Sequence, residues 1–324
     1  MSTPPRHPPL PTGYVLRRPS PAHAEAVAAL KRAIEVVRYG ESEVTAAEVR
    51  DEWSLPGLSL ENDVWVVEDG SGSLVAYALC WLEAPPDEAA AEQLVAPRHR
   101  GRGLNELLLG LCETRAAELA LAAASGSGVS LEVWAHESDA RRLELLERRG
   151  YRQERAFLRL ERDLDDGFDA PAWPAGIRVA PFRTGVDDAV VHAAYEDAFA
   201  DHYGSGEPDL ERWLQSRFAH GGPDLGLWLV AWDGDEAVGG IEATETPSGG
   251  YMGDLWVRRP WRGRGIARAL MLKECAELRG RGMRTAFFGV DAANATGALE
   301  LHASLGFRSE RGAILLFEKR VGRS

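Results

Sequence analysis

One stretch in the second half of the chain combines glycine, arginine and a following helix in a way that suits an anionic ligand. It reads Val257-Arg258-Arg259-Pro260-Trp261-Arg262-Gly263-Arg264-Gly265-Ile266-Ala267. We predict that an apolar strand ends at Val257 and that a helix begins at Ile266. Glycines let a ligand approach the backbone closely, and the unpaired N–H groups of a helix start attract negative charge. The stretch therefore predicts a pyrophosphate site, and local positive charge could come from Arg258, Arg259, Arg262, Arg264 and Arg268.

This stretch has a counterpart in the first half of the chain, which indicates an internal repeat. Three pairs of segments occur in the same order in both halves: Val64-Trp65-Val66-Val67 and Leu227-Trp228-Leu229-Val230, Arg100-Gly101-Arg102-Gly103 and Arg262-Gly263-Arg264-Gly265, and Arg149-Gly150-Tyr151 and Leu305-Gly306-Phe307. Each half also has the same predicted order of elements, which is strand, two helices, three strands, helix, strand, helix and strand.

The repeat predicts two tandem domains of one fold, residues 1–163 and 164–324. A linker is expected over Asp163 to Gly176, where Asp-Asp-Gly and Pro-Ala-Trp-Pro interrupt both helix and strand. The predicted fold class is α+β or mixed α/β, and each domain has a mixed, mostly antiparallel sheet with helices on both faces. Asp-Gly turns predict the hairpins, and the capping-box spacing of Thr45 and Glu48 predicts a helix start.

Composition excludes several classes of protein. The chain has 37 Lys and Arg residues against 50 Asp and Glu residues, a net charge of −13, which disfavours nucleic-acid binding. Its cysteines, Cys80, Cys112 and Cys275, have no CxxC spacing, so neither a disulfide framework nor a metal site is predicted. The longest apolar run, Leu119 to Ala124, is too short to cross a membrane. We therefore expect a cytoplasmic protein, a monomer or homodimer, without membrane partners.

The second half resembles the GNAT acyltransferase superfamily. Arg262-x-x-Gly265-x-Ala267 is similar to the family's Arg/Gln-x-x-Gly-x-Gly/Ala signature. A second signature, an Asn, an Ala and a Leu-Tyr-x-x-Leu-Gly-Phe ending, is similar to Asn294, Ala298 and the run Leu301 to Phe307. The resemblance implies acetyl-CoA as cosubstrate and direct transfer of the acyl group to an acceptor, most often a primary amine. The doubled chain is similar to the tandem members of this family.

The same resemblance implies a set of cofactor contacts. The backbone of the strand before the turn would follow the pantetheine arm, the N–H groups of the turn would hold the pyrophosphate, and an asparagine would contact the CoA arm. The residues in these positions are Leu255, Trp256, Val257, Arg262, Gly263, Arg264, Gly265, Ile266, Ala267 and Asn294.

Amide formation from a thioester needs an oxyanion donor, a neutral amine and a proton for the thiolate. We expect the N–H of Val257 to hold the oxyanion. Asp254 is the first candidate for the base, because three residues of strand place it about 10 Å from Val257. Glu242 in the adjacent strand and Tyr251 are the alternatives, and an ion pair with a nearby arginine is the other interpretation of Asp254.

His302 stands where the resembling enzymes have the tyrosine that donates a proton to the departing thiolate. A histidine could take that role because its ordinary pKa is accessible. The alternative is a packing residue, with the proton supplied by water or another group. The aromatic and charged segment Phe199 to Gly204 is a candidate acceptor loop, whereas Cys275 is expected to lie in the core.

The first half matches the family less well. Asn105 stands where the pattern requires Gly or Ala, and Leu146 stands where the second half has His302. We therefore predict a degenerate first domain and a catalytic second domain that acetylates an amine of a small molecule or peptide. The alternatives are a catalytically silent acyl-CoA-binding or scaffold protein and, less favoured by the acidic charge, transfer of an aminoacyl group from tRNA.

Overall fold

A computed structural model describes most of the chain, namely residues 7–40, 42, 44–55, 57–82, 88–122, 128–200, 209–218, 224–293 and 298–322. The chain folds into two compact units. Unit 1 comprises Met1–Leu158, Asp291–Ala293 and Arg311–Ser324. Unit 2 comprises Arg159–Val290 and Asn294–Glu310.

Unit 1 is built on a mixed sheet. Its strands are β1 (Tyr14–Arg17), β2 (Val64–Asp69), β3 (Leu74–Leu82), β4 (Glu88–Val95), β5 (Val129–His136), the first part of β6 (Arg152–Asp163) and the C-terminal strand Ala313–Val321. Its helices are α1 (Ala24–Tyr39), α2 (Ala46–Glu52), α3 (Leu104–Ala122) and α4 (Ala140–Arg148). The predicted capping box is present, since Thr45 and Glu48 each accept a hydrogen bond from the other's backbone N–H.

Successive apolar side chains along the strands of unit 1 point to opposite faces of its sheet, and both faces are buried. Val64 and Val66 pack with α1 and α2, whereas Trp65 and Val67 pack on the side of α3. Neighbouring strands pair antiparallel except β4 and β5, which pair in parallel. Helices therefore cover both faces of a mixed sheet.

The C-terminal strand of the chain belongs to unit 1. It lies between β5 and β6, where Leu316 is opposite Trp134 on one side and Arg155 on the other. The compact units thus differ from the predicted division at residue 163, because residues 311–324 join unit 1 and β6 runs from one unit into the other. An alternating apolar sequence indicates a strand but not which neighbours it will pair with.

Unit 2 has the same kind of architecture. The helices and strands of unit 2 are β7 (Ile177–Pro181), α5 (Asp188–Phe199), α6 (Leu210–Phe218), β8 (Trp228–Asp233), β9 (Glu236–Thr246), β10 (Gly249–Val257), α7 (Ile266–Gly280), β11 (Thr285–Asp291) and α8 (Ala298–Ser304). The C-terminal strand of unit 1, Ala313–Val321, is named β12. The strand order is β11-β10-β9-β8-β7, antiparallel except for β10 with β11. Trp213, Trp228 and Trp256 pack on the face covered by α5 and α6. The predicted fold class is confirmed.

Three further observations bear on the chemistry that is available. The thiols of Cys80, Cys112 and Cys275 are free and buried, and burial raises the pKa of Cys275 to about 12, so this thiol is a core group. Among the described residues, no group of three or more His, Cys, Asp and Glu side chains could hold a metal ion. No helix in the described part of the chain is both long and apolar enough to cross a membrane.

Candidate active site

Strand β10 separates from β11 in unit 2, and we call the gap that follows the split. The two strands pair in parallel at Gly250 with Ala286 and at Tyr251 with Phe287, and among the described residues this pairing goes no further. Strand β10 nevertheless continues to Val257 and stays paired with β9 on its other side. One edge of β10 therefore lacks a strand partner just before the glycine turn, Arg262 to Ala267.

The backbone groups that face the split follow from the strand pairing. Residues in an antiparallel pair alternate between those bonded to the partner strand and those pointing away from it. The N–H of Arg258 donates to the carbonyl of Val238 over 3.0 Å, so Trp256 also bonds toward β9, whereas Leu255 and Val257 point into the split. The ring of Trp256 is buried in the core. Trp256 therefore offers neither backbone nor ring to a ligand in the split.

The glycine turn leads directly into helix α7. Gly263 and Gly265 have φ angles of 72° and 88°, in the left-handed region that L side chains rarely adopt. A Cβ atom added at either glycine would meet no heavy atom within 4 Å, so the space beside the turn is open. The first hydrogen bond of the helix runs from the N–H of Ala269 to the carbonyl of Gly265, which leaves the preceding N–H groups, including that of Ala267, for an anion.

A pair of carboxylates lies beside the split on the α5 and α6 face. Glu242 on β9 and Asp254 on β10 meet where the register of the two strands shifts at a bulge. Arg217 of α6 donates one guanidinium hydrogen bond to Glu242 and another, of 2.6 Å, to Asp254. The hydroxyl of Tyr195 on α5 donates to the same oxygen of Asp254 over 2.7 Å. The predicted ion pair of Asp254 with an arginine is thus present.

The two carboxylates have different environments. The side chain of Asp254 is 41% exposed and that of Glu242 only 17%. Burial raises the pKa of Glu242, an effect that Arg217 opposes and Asp254 reinforces. A Cβ atom at position 253 would lie 2.9 Å from Cγ of Glu242, so Gly253 at the bulge makes room for this side chain. Glu242 is therefore the more enclosed carboxylate of the pair, and burial favours its protonated form.

Comparison with known proteins assigns this arrangement to a family. A family model described as "Acetyltransferase (GNAT) family" matches residues 190–307. The mycothiol acetyltransferase of Acidothermus cellulolyticus is 31% identical over 274 residues, which are 79% of this chain and 79% of the relative. A GCN5-related N-acetyltransferase from Sphaerobacter thermophilus is 32% identical, with a TM-score of 0.80 over 98% of this chain and 99% of that structure. This chain belongs to the GNAT family of acetyltransferases.

Membership of this family makes the chain an acetyl-CoA-dependent acetyltransferase. The tandem form also has a structural counterpart. A tandem GNAT protein from the clavulanic acid biosynthesis pathway shares this fold with a TM-score of 0.67, 17% identity and coverage of 96% of this chain and 99% of that one.

In this GNAT protein most of the arginines in and beside the glycine turn form hydrogen bonds or ion pairs with other parts of unit 2 rather than facing the open space. Arg262 donates to the carbonyls of Val257 and Ala198 over 3.0 and 2.8 Å, and so fixes the turn to strand β10 and helix α5. Arg258 forms ion pairs with Asp197 and Glu236. The side chain of Arg268 contacts Ser304 and Asp169. Arg264 is exposed and has no ion pair among the described residues, so it is the arginine best placed to meet a phosphate.

His302 lies in a setting that disfavours its charged form. The residue is 5% exposed, its ring packs 4.5 Å from that of Phe288, and its Nδ1 atom has no hydrogen-bond partner among the described residues. Burial lowers the pKa of His302 to about 4, so the imidazole is neutral at pH 7. This environment weighs against an imidazolium that protonates the thiolate and supports the packing interpretation. Asn294 and residues 201–204 of the candidate acceptor loop lie outside the described residues.

Replacing His302 with alanine should therefore act on stability rather than on proton transfer. We expect the free energy of unfolding to fall by about 2 to 4 kcal/mol, as for other large-to-small changes in a core. The pH dependence of kcat should keep its shape, because the lost group is neutral over the working range. Chemical denaturation and a pH–rate profile measure the two effects. A fall in kcat of about 10²-fold or more, with tyrosine restoring activity at this position, would instead assign His302 the proton-donor role.

The corresponding gap in unit 1 is bridged by the protein's own side chain. Strands β4 and β5 pair up to Ala91 with Val133, and β4 then continues to Val95. The guanidinium of Arg142, 5% exposed, donates to the side chain of Gln93 on β4 over 2.8 Å and to the carbonyl of Trp134 on β5 over 3.0 Å. One bond satisfies a backbone carbonyl of β5, and the other links the guanidinium to a side chain of β4.

The turn of unit 1 is also covered. A Cβ atom added at Gly103 would lie 3.4 Å from Cγ of Pro11, whereas the space beside Gly265 is open. Arg100 donates to the carbonyl of Val95, as Arg262 does to that of Val257, so the frame of the turn is retained while the space around it is filled. This difference agrees with the predicted degeneracy of the first domain.

Proposed function

We propose that unit 2 carries out the acetyl transfer, with acetyl-CoA in the split and the acceptor amine at the carboxylate pair. One observation supports this placement most directly. The unpaired backbone edge of Leu255 and Val257, the open helix start of α7 and the carboxylates all lie on or beside strand β10. The turn would hold the pyrophosphate, and Leu255 and Val257 would bond the pantetheine arm and the thioester.

The reaction can be written with the chain's own groups. Glu242 takes a proton from the acceptor ammonium, which leaves a neutral amine. The amine nitrogen attacks the thioester carbonyl, and the N–H of Val257 holds the oxyanion of the tetrahedral intermediate. The intermediate collapses with cleavage of the C–S bond, the amide nitrogen releases its second proton to solvent, and the thiolate takes up a proton from solvent. Glu242 then returns the first proton to solvent, so that one proton is released per turnover. The products are an N-acetylated acceptor and CoA with its thiol restored.

Glu242 suits the base role better than Asp254 or Tyr251. A general base works best when its pKa lies near the operating pH, and burial moves the pKa of Glu242 in that direction. Asp254 is the more exposed carboxylate, and one of its oxygens is already engaged by hydrogen bonds from Tyr195 and Arg217. Partial burial and the two carboxylates raise the pKa of Tyr251, so its hydroxyl stays protonated at neutral pH.

The acceptor is a small-molecule amine, and the named relatives suggest where to begin. The test is release of free CoA thiol from acetyl-CoA over a panel of amines that includes the acceptor of the mycothiol acetyltransferases. Turnover of one or more amines, with the acetylated product seen by mass spectrometry, is the expected result. Tight acetyl-CoA binding without turnover of any amine would favour the silent acyl-CoA-binding alternative.

A further inference from the structure

Four elements of unit 2 bring charged and phenolic groups to one place. Arg217 of α6 lies between Glu242 of β9 and Asp254 of β10, and Tyr195 of α5 and Tyr251 of β10 are the other titratable groups beside them. The two carboxylates and the single guanidinium carry a net charge of −1. The sequence predicts both carboxylates as candidate bases but not the arginine, since nothing in the pattern of α6 distinguishes Arg217 from a surface residue.

Arg217 is held in place from two directions. Its guanidinium carbon lies 4.9 Å from the ring centre of Tyr195 and 5.6 Å from that of the buried Trp213. Its two terminal nitrogens bond different carboxylates, a geometry that the planar fork of arginine provides and a lysine ammonium does not. Burial alone would lower the pKa of Arg217, but Glu242 and Asp254 raise it, so the guanidinium stays charged.

The arginine changes what the two carboxylates can do. Two carboxylates at close range without a cation disfavour simultaneous ionisation, so one of them retains a proton. Arg217 opposes this effect on Glu242, as the direction of its contribution to the pKa of Glu242 shows. Arg217 meets each carboxylate through one oxygen, and Glu242 also accepts from the backbone N–H of Asp254. An ionised carboxylate has about four lone-pair sites, so both groups keep capacity for a further donor. An ammonium group has three N–H donors and a positive charge that balances the remaining −1.

We propose that Arg217 is a positioning residue that holds Glu242 and Asp254 together as an anionic site, and that this site takes the acceptor as an alkyl ammonium. The inference rests on the proposed function of unit 2 and deepens it by naming the charge state of the acceptor. An aromatic amine, which is neutral at pH 7, lacks the charge that the site balances. The enzyme therefore selects alkyl amines over aromatic amines of similar size.

The test uses the full chain with Arg217→Met and Arg217→Lys. Arg212→Met is the matched control, because Arg212 lies on the same helix with an exposed side chain. Without the guanidinium the pKa of Glu242 rises, so the acid limb of the kcat/KM profile should move to higher pH by about one unit or more. The amine KM should rise about tenfold or more, and the acetyl-CoA KM should change less than twofold. Arg217→Lys should show a smaller shift of the acid limb and a smaller rise in the amine KM than Arg217→Met.

A double variant separates positioning from a structural role. If Arg217 acts through the base, Arg217→Met should lower kcat/KM for the amine much less in a Glu242→Gln background than in the wild type. The preference for an alkyl over an aromatic amine should also fall in Arg217→Met. Equal pH profiles and equal amine KM values for the Arg217 and Arg212 variants would overturn the inference. If Arg217→Met does not fold, Arg217→Lys decides by the same two readouts.

The wild type distinguishes this inference from the proposed function. If wild-type enzyme acetylates no amine of the panel, the proposed function fails and the inference falls with it. If wild-type enzyme is active and prefers aromatic amines, or if Arg217→Lys behaves as wild type in pH profile and amine KM, only the inference fails. Activity with alkyl amines and a shifted acid limb in the Arg217 variants support both.

Discussion

Glutamine in place of Glu242 is expected to lower kcat/KM for an alkyl amine by about 10²- to 10⁴-fold at neutral pH, the usual contribution of a positioned general base. Glutamine keeps the size and can accept from Arg217, but it cannot take a proton from the ammonium. The loss should shrink as the pH rises, because a growing fraction of the amine is then neutral without help. Steady-state kinetics from pH 6 to pH 10 measure both effects, and calorimetry should find acetyl-CoA affinity nearly unchanged.

Asparagine in place of Asp254 is the matched comparison. This change removes the charge that Arg217 and Tyr195 bond, so we expect a rise in the amine KM and a smaller loss of kcat than for Glu242→Gln. Acetyl-CoA affinity should again change little, since the carboxylate faces the amine. A larger kcat loss for Asp254→Asn than for Glu242→Gln would exchange the two roles. Full activity of both variants at neutral pH would move the base role to Tyr251 or solvent.

The glycine turn and its helix could be predicted from the sequence because their signals are local. Gly265 at a positive φ and the predicted start of α7 at Ile266 are adjacent in the chain. The capping box of Thr45 and Glu48 is local in the same sense. Where the interaction that decides the conformation lies within one turn, the residues alone indicate it.

Features that depend on contacts between residues far apart in the chain cannot be predicted from such local signals. Arg217 reaches Glu242 and Asp254 from a different helix, and only the fold shows which arginine pairs with the carboxylates. The environment of His302 on helix α8 depends on Phe288 of strand β11, so the residue type suggests a proton donor while its burial favours a neutral ring. The pairing of β12 with β5 and β6 is a third case, because strand character does not specify partners.

The two units differ in what lies at the corresponding gap between their parallel strands. In unit 2 the edge of β10 beyond Tyr251 faces the split with free N–H groups at Leu255 and Val257. In unit 1 the guanidinium of Arg142 bonds both sides of the corresponding gap. The guanidinium of Arg142 thus lies where β4 and β5 no longer pair with each other. We therefore propose that unit 1 serves as a folded scaffold rather than a second cofactor site.

Replacing Gly265 with valine should abolish acetyl-CoA binding, whereas the same change at Gly103 should leave it intact. A side chain at position 265 would enter the open space beside the helix start, where the pyrophosphate is expected. The two glycines have φ angles of 88° and 85°, so valine is strained by a similar amount, about 1 to 2 kcal/mol, at both sites. The Gly103 variant therefore controls for backbone strain and separates it from loss of the ligand site.

Isothermal titration calorimetry should find one acetyl-CoA site per chain in the wild type and in Gly103→Val, and none in Gly265→Val. Circular dichroism and thermal unfolding of both variants verify that each remains folded. The expected stoichiometry of one follows from Arg142, which occupies the gap of unit 1. Two sites in the wild type would show that Arg142 yields to the cofactor. Binding that survives valine at position 265 and is lost with valine at position 103 would place the acetyl-CoA site in unit 1.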